Sequence, residues 1–276
     1  MVKRRNIAHV VVFIKEKYKR AETVACQLIE NLLKFGINIT TVQPFRYKSI
    51  RSVISIREVM DKDIDLLATV GGDGTILRAL RMIDKEVPVL GVNVGSRGVL
   101  SEILPKEVTA AIDKLIEGKY VLDRRLRIKS STDGKTFPPV LNEIFFNRVS
   151  HVSLPTVTVR KSQELFLEQK MDGLIVATPT GTTAHSFSGG GPVIYEEARS
   201  ILLMPVFPLL RLPSIILPSE TIEISFSDDF YMIVDGQEAY TINARQWIEI
   251  AEHERDAVFV RFNKKKILRQ LNNLGF

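Results

Sequence analysis

The chain of 276 residues has one cysteine, Cys26, so no disulfide can form within it. That excludes a stapled secreted scaffold and points to a reducing, cytoplasmic setting. Cys26 lies among Val24, Ala25, Leu28, Ile29 and Leu32 and reads as a core residue of a helix. No His, Cys or carboxylate spacing matches a protein metal site, and there is no Gly-x-Ser-x-Gly elbow. His9, His151 and His253 stand alone and receive no function. Long apolar runs are also missing. The most apolar window, residues 201–218, is broken by Pro205, Pro208, Arg211 and Pro213, which excludes a clean membrane helix. The pair of Lys3-Arg4-Arg5 and Val10-Val11-Val12-Phe13-Ile14 has the outline of a signal peptide. His9 interrupts it, Lys15-Glu16-Lys17 follows it and no small-residue cleavage site appears, so a buried first strand is the better reading. A soluble protein with no membrane partner is expected.

Charge of one sign is not concentrated either. The net charge is +6, yet Lys and Arg are spread in short clusters, with no basic arm and no aromatic-basic alternation. This argues against nucleic acid, and a site for phosphorylated small molecules explains the excess equally well. Internal repeats and low-complexity segments are absent.

What is present divides by texture. Up to about residue 118, short apolar runs alternate with amphipathic stretches. Strands are expected at residues 9–14, 38–42, 66–70 and 87–92, and helices at 20–35, 75–83 and 107–117. Val10 to Phe13 is apolar without alternation, as in a parallel strand covered on both faces. The fold class is therefore α/β: an N-terminal open, Rossmann-like parallel sheet with helices on both faces, followed by a β-rich C-terminal domain. After Lys119 the pattern alternates, with Leu126 and Ile128 between Arg125, Arg127 and Lys129, Val157 and Val159 beside Thr158 and Arg160, and Ile222, Ile224 and Phe226 beside Glu223 and Ser225. Turn signals stand at Asp133-Gly134, Asp172-Gly173 and Asp235-Gly236. Residues 1–119 are read as an α/β phosphate-binding domain and 120–257 as a β-rich domain. Residues 258–276 form a separate C-terminal segment, with a helix-like run at 267–271.

The stretch around which the chain is organised is Gly71-Gly72-Asp73-Gly74-Thr75, between the apolar residues 66–70 and the helix-like residues 76–80. It reads as strand, glycine turn, helix. Glycines allow φ > 0 and close approach of backbone to a ligand, and a helix start favours phosphate. Walker A needs Gly-Lys-Ser/Thr and the dinucleotide fingerprint needs glycine where Leu77 stands, so this is a third kind of loop. A carboxylate in a phosphate turn repels the ligand unless it holds Mg²⁺ or accepts a proton from a hydroxyl becoming a nucleophile. Asp73 thus suggests phosphoryl transfer onto an alcohol. A second glycine turn, residues 91–98, falls at the end of the next strand, where open α/β sheets bind ligands.

Further on, residues 172–192 carry Thr178, Thr180, Thr182, Thr183, Ser186 and Ser188 among five glycines, small donors and acceptors suited to a sugar or base lying flat on backbone. Asn142-Glu143 interrupts an apolar, strand-like run; strand interiors disfavour Asn, so a partner is implied. An Asn amide can pair with an adenine edge and a carboxylate can accept from ribose hydroxyls.

The order of these motifs resembles the NAD kinase family: the Gly71–Thr75 turn, Asn142-Glu143, Asp172-Gly173 leading through residues 178–185 to Gly190-Gly191-Pro192, and Asp235-Gly236-Gln237. The resemblance covers roughly the whole chain. It implies transfer of the γ-phosphoryl of ATP, or of polyphosphate in some members, to the 2′-hydroxyl of the adenosine ribose of NAD, giving NADP. It implies Asp73 as proton acceptor and Gly72, Gly74 and Arg78 at the transferred phosphate. Asn142 and Glu143 match the adenosine pair, and Thr180, Thr183, Ala184, His185, Ser186, Phe187 and Ser188 the segment against the dinucleotide. Lys170, Asp172 and Gln237 match further contacts. Mg²⁺, or another divalent metal, would arrive with the nucleotide rather than in a protein cage. The family also implies that residues 258–276 return to the first domain, and that the protein is a homo-oligomer, a dimer or tetramer. Departures are His185 for the usual Tyr, Arg97 and Val99 for the usual Leu and Phe, and a missing His within residues 208–213. The alternatives are a lipid kinase sharing the glycine-Asp turn, or a non-catalytic NAD(P)-binding protein. The Thr-rich segment and Asn142-Glu143 argue against the first, and retention of Asp73 argues against the second.

Overall fold

The computed structural model describes residues 7–263, apart from Ser49, Arg51, Ser96 and Arg97. The basic cluster at 3–5, Arg97 and the helix expected at 267–271 lie outside the described residues. The chain divides into two units. One runs to Arg124 and resumes at Ala257, and the other is Arg125–Asp256.

The first unit follows a strand-helix alternation: β1 (His9–Ile14), α1 (Lys19–Leu33), β2 (Asn38–Val42), β3 (Val53–Ile54), β4 (Leu66–Gly71), α2 (Asp73–Met82), β5 (Pro88–Asn93), α3 (Val108–Ile116) and β6 (Val121–Arg125). A last strand, β18 (Ala257–Arg261), returns between β5 and β6, so the sheet order is β3-β2-β1-β4-β5-β18-β6. Pairing from β3 through to β18 is parallel. Val10, Val11 and Val12 are fully buried, because successive side chains point to opposite faces and both faces are covered. On one face Val10, Val12, Leu66, Ala68, Leu90 and Val92 pack with Ala21, Ala25, Leu28 and Leu32 of α1 and with Ala111, Ile112 and Leu115 of α3. On the other, α2 lies so close that a Cβ at Gly91 would stand 2.7 Å from Ile76 Cδ1. α1 is held by its apolar stripe rather than by a side-chain cap, and it ends where Gly36 takes φ +70. Cys26 sits on α1 half-buried rather than in the core, because its position falls at the margin of that stripe.

The second unit is antiparallel throughout: β7 (Ile128–Thr132), β8 (Lys135–Thr136), β9 (Glu143–Arg148), β10 (Thr156–Lys161), β11 (Glu164–Ala177), β12 (Ser200–Pro208), β13 (Ile215–Pro218), β14 (Ile222–Phe226), β15 (Phe230–Val234), β16 (Glu238–Ile242) and β17 (Ile248–Glu252). The long β11 joins two arms. Its first half pairs with β10, and its second half pairs with β9 and β12. The alternating apolar residues meet between the arms, where Phe146 of β9 lies 5.0 Å from Phe226 of β14, ring to ring. This is how period-2 patterning becomes a core.

Two expectations are corrected here. Asp172-Gly173 is not a turn but part of β11; Gly173 is needed because a Cβ there would stand 2.4 Å from the Phe146 carbonyl oxygen on the neighbouring strand. Arg125 and Arg127 do not alternate outward, since both are buried. Arg125 pairs with the buried Glu196 at 3.4 Å, and Arg127 Nε donates to the Arg255 carbonyl at 2.8 Å. By contrast, Asp133-Gly134 and Asp235-Gly236 are the hairpin turns β7–β8 and β15–β16. Asp235 (φ 48) and Gly236 (φ 64) are both left-handed in the three-residue loop 235–237 that joins the paired Val234 and Glu238.

Candidate active site

In the first unit the glycine turn forms differently from the sequence expectation. None of Gly71, Gly72 and Gly74 takes positive φ. Gly71 is the last residue of β4, Gly72 is the extended residue before α2, and Gly74 lies inside α2. Their smallness serves space instead. A Cβ at Gly71 would stand 2.1 Å from Thr75 Oγ1, whereas a Cβ at Gly72 would meet nothing within 4 Å. Gly71 is therefore demanded by the fold, while Gly72 presents bare backbone to open space beside the positive end of α2.

Asp73 opens α2 and turns its carboxylate onto the segment after the second glycine turn. Oδ2 accepts from the backbone N–H groups of Val99 at 2.7 Å and Leu100 at 3.2 Å; Oδ1 accepts from Ser101 N–H at 3.2 Å and Ser101 Oγ at 2.9 Å. A Cβ at Gly98 would stand 2.4 Å from Ser101 Oγ and 3.2 Å from Asp73 Oδ1, so both glycine turns close on one carboxylate. Bonds to both oxygens fix its rotamer and its plane, leaving approach to the carboxylate only outside those donor directions. Arg78, one turn along α2, is held by Glu16 at 2.7 Å over the face of Phe13.

In the second unit Asn142 precedes β9 and Glu143 begins it, so the polar pair marks the entry to a strand rather than its interior. Both backbone sides of this entry are gripped. The Asp235 carboxylate accepts from the N–H groups of Leu141, Asn142 and Glu143, at 3.2, 2.7 and 3.3 Å. Thr178 N–H donates to the Asn142 carbonyl at 2.9 Å, and Thr178 Oγ1 donates to the Leu141 carbonyl. Gly181 passes so close that a Cβ would stand 2.0 Å from that Asn142 carbonyl. Glu143 itself is buried. Its Oε2 has no hydrogen-bond partner, and it receives the backbone N–H of His185. Burial first, then the nearby Asp235 charge, push its carboxyl up to about 8, so Glu143 is a protonated donor near neutral pH.

The hydroxyl-rich stretch is largely self-bonded, which corrects its reading as a free display of donors. Thr182 Oγ1 donates to Pro179 O and accepts from Ile194 N–H, Thr183 Oγ1 donates to Thr180 O, and Ser186 Oγ donates to Gly181 O. Thr180 Oγ1 is the exception, buried and unpaired. Ala184 precedes the short helix α4 (His185–Ser188), whose His185 ring is exposed and lies 5.2 Å from the Phe145 ring. Phe187 is half-buried, and Ser188 is exposed. Asp172 is paired with Arg148 at 3.2 Å, and Lys170 and Gln237 are exposed. The structure thus gathers Glu143, Asp235, Thr178, Gly181 and His185, and leaves Lys170 and Gln237 on the surface. Sequence reading missed Ser101 and the Asp235 side chain as parts of this machinery. The position of Ser101 just past the second glycine turn was its only available signal.

An open parallel sheet with a carboxylate locked at a glycine turn, and a β unit with a buried acid beside a hydroxyl-lined turn, define a nucleotide-handling α/β protein. Residues 10–120 match the ATP-NAD kinase N-terminal domain and residues 141–262 the ATP-NAD kinase C-terminal domain. The chain is 34% identical over 230 residues to an NAD kinase of Pyrococcus furiosus, covering 82% of each chain. It is 31% identical over 254 residues to one of Methanothermobacter thermautotrophicus, covering 88% of each. Its fold superposes on yeast NADH kinase complexed with NADH (TM-score 0.87, 23% identity, 99% of this chain and 89% of that one). It also superposes on an NAD kinase from Archaeoglobus fulgidus in complex with ATP (TM-score 0.79, 24% identity, 97% and 100%). The chain belongs to the NAD kinase family.

Proposed function

We infer that this protein transfers the γ-phosphoryl of ATP to the 2′-hydroxyl of the adenosine ribose of NAD, producing NADP. The observation that carries the chemistry is Asp73, a carboxylate fixed through both oxygens at the start of α2, with the open backbone of Gly72 beside it. Asp73 accepts the hydroxyl proton as the oxygen attacks phosphorus, while Gly72, Gly74 and the start of α2 neutralise charge on the transferred group. Arg78 joins them on leaving Glu16. Phosphoryl transfer of this kind depends mostly on positioning, which the locked rotamer supplies.

Adenosine recognition falls to the second unit. Protonated Glu143 donates to a ribose or base acceptor, Asn142 pairs with the adenine edge, and the unpaired Thr180 hydroxyl finds its partner on the dinucleotide. Ala184, His185, Phe187 and Ser188 line the dinucleotide as a short helix and its lead-in, with Thr183 and the buried Ser186 bracing them; Lys170 and Gln237 contribute from the surface, and Asp172 from its half-buried position beside Arg148.

Among the described residues no cluster of three or more His, Cys, Asp or Glu could hold a metal ion, and the Asp73 oxygens already accept four hydrogen bonds. We assign Mg²⁺ to the phosphates of the nucleotide, whose charge it would screen. Polyphosphate is a second candidate donor, and a cytoplasmic location fits an enzyme of this chemistry. We further propose a homo-oligomer, because Phe207, Leu209, Leu210 and Ile216 form exposed apolar positions around β12 and β13. Incubation of the purified protein with NAD, ATP and Mg²⁺, with the product identified by phosphorus NMR, tests the reading. A 2′-phosphate on NAD is expected; a product phosphorylated elsewhere, or none, overturns it.

A further inference from the structure

We propose that Arg261 is a positioning residue for the reaction, acting on Asp73 through the single residue Leu100. This rests on the reading of Asp73 as proton acceptor. Arg261 ends β18, the strand that returns to the first unit, and is 2% exposed. Its Nε donates to Asp123 Oδ2 at 3.0 Å. Its Nη1 donates to the Leu100 carbonyl at 2.7 Å and to Glu102 Oε2 at 3.3 Å, and the other Glu102 oxygen accepts from Phe262 N–H at 3.0 Å. Leu100 is therefore held from both ends. Its carbonyl is fixed by Arg261, and its N–H points at Asp73 Oδ2. The neighbours of Leu100, Val99 and Ser101, supply the remaining donors to Asp73.

The physical consequence is a relay of fixed geometry. A guanidinium is a rigid planar fork, so pairing it with Asp123 and Glu102 sets the direction of its bond to the Leu100 carbonyl. The segment 99–101 lies outside any helix or strand, and its donors set the plane of the Asp73 carboxylate. Loosening the anchor shifts the carboxylate against the hydroxyl it must deprotonate, and displacements near 1 Å can cost about 10²-fold in rate. Ground-state contacts to NAD and ATP do not run through Arg261, so the loss belongs in kcat rather than KM.

A neutral residue at this position would remove the cation that the half-buried Asp123 and the buried Glu102 both bind, and folding itself would suffer. The test therefore uses Arg261→Lys, which keeps the charge but cannot reproduce the fork, together with Ser101→Ala, Arg261→Lys/Ser101→Ala and Asp73→Asn. For Arg261→Lys we expect a folded protein with kcat down roughly 10-fold and KM for NAD and ATP within about 2-fold of wild type. The double variant should fall by less than the product of the single losses, because both act on one carboxylate. Wild-type kcat in folded Arg261→Lys, a rise confined to KM, or strictly multiplicative losses would overturn the inference. Turnover retained by Asp73→Asn would overturn the Asp73 reading and this inference with it; turnover lost there but intact in Arg261→Lys removes the inference alone.

Discussion

Glu143 shows what one buried side chain can dictate. Its carboxyl is raised from the usual range to about 8 by burial and by Asp235. The folded protein therefore keeps a proton that the unfolded chain releases, and stability must fall as pH climbs from the ordinary glutamate range toward 8. The slope for one fully coupled group is about 1.4 kcal/mol per pH unit. Glu143→Gln removes the term, so thermal scans at pH 5 and pH 8 should show the variant gaining on wild type at the higher pH. A gap unchanged between those pH values would mean that Glu143 is ionised in the folded protein. The residue's importance was legible in the sequence as a polar pair interrupting an apolar run. Its protonation was not, because it depends first on how deeply the fold buries the carboxyl and then on Asp235 arriving from a hairpin 92 positions away.

At the scale of elements, the parallel strands and their helices were readable from apolar runs and 3.6-residue spacing. The core of β1 and the stripe of α1 stand where those periods put them. The glycines were harder. Asp172-Gly173 carries the same dipeptide as two true turns, and only the approach of the Phe146 carbonyl distinguishes it. The threonine-rich stretch was recognisable by composition, yet composition cannot say that most of its hydroxyls bond within it. Gly181 is the sharpest consequence: Gly181→Ala places a methyl 2.0 Å from the Asn142 carbonyl. Two backbones must part, and we expect a loss of about 2–4 kcal/mol in chemical denaturation, with NAD affinity reduced in the fraction that folds. A loss below about 0.5 kcal/mol, the range of ordinary surface substitutions, would contradict that packing.

At the scale of the whole molecule, the class of fold and the family were legible because the motifs occur in order along the chain. The insertion of β18 between β5 and β6 was not legible in detail. Arg261 reaches Leu100 across 161 positions, and no local period marks such a contact. Self-association belongs to this scale as well. Light scattering should give a mass that is a multiple of 31.2 kDa, and Phe207→Ser/Leu210→Ser should move it toward the single chain. A wild-type mass of one chain would count against the proposed oligomer.

The most direct test of the account is NADP formation from NAD, ATP and Mg²⁺ by wild type and Asp73→Asn, followed with an NADP-specific dehydrogenase and accompanied by NAD binding and thermal melting. An amide at this position sets an NH₂ against N–H or O–H donors, so the melting curve shows how much of the loss is structural. The account predicts NADP from wild type and a fall of about 10²–10⁴ in the folded variant, the range of a lost general base, with NAD still bound. Undiminished turnover in the variant, or NAD binding without NADP formation in wild type, would contradict it.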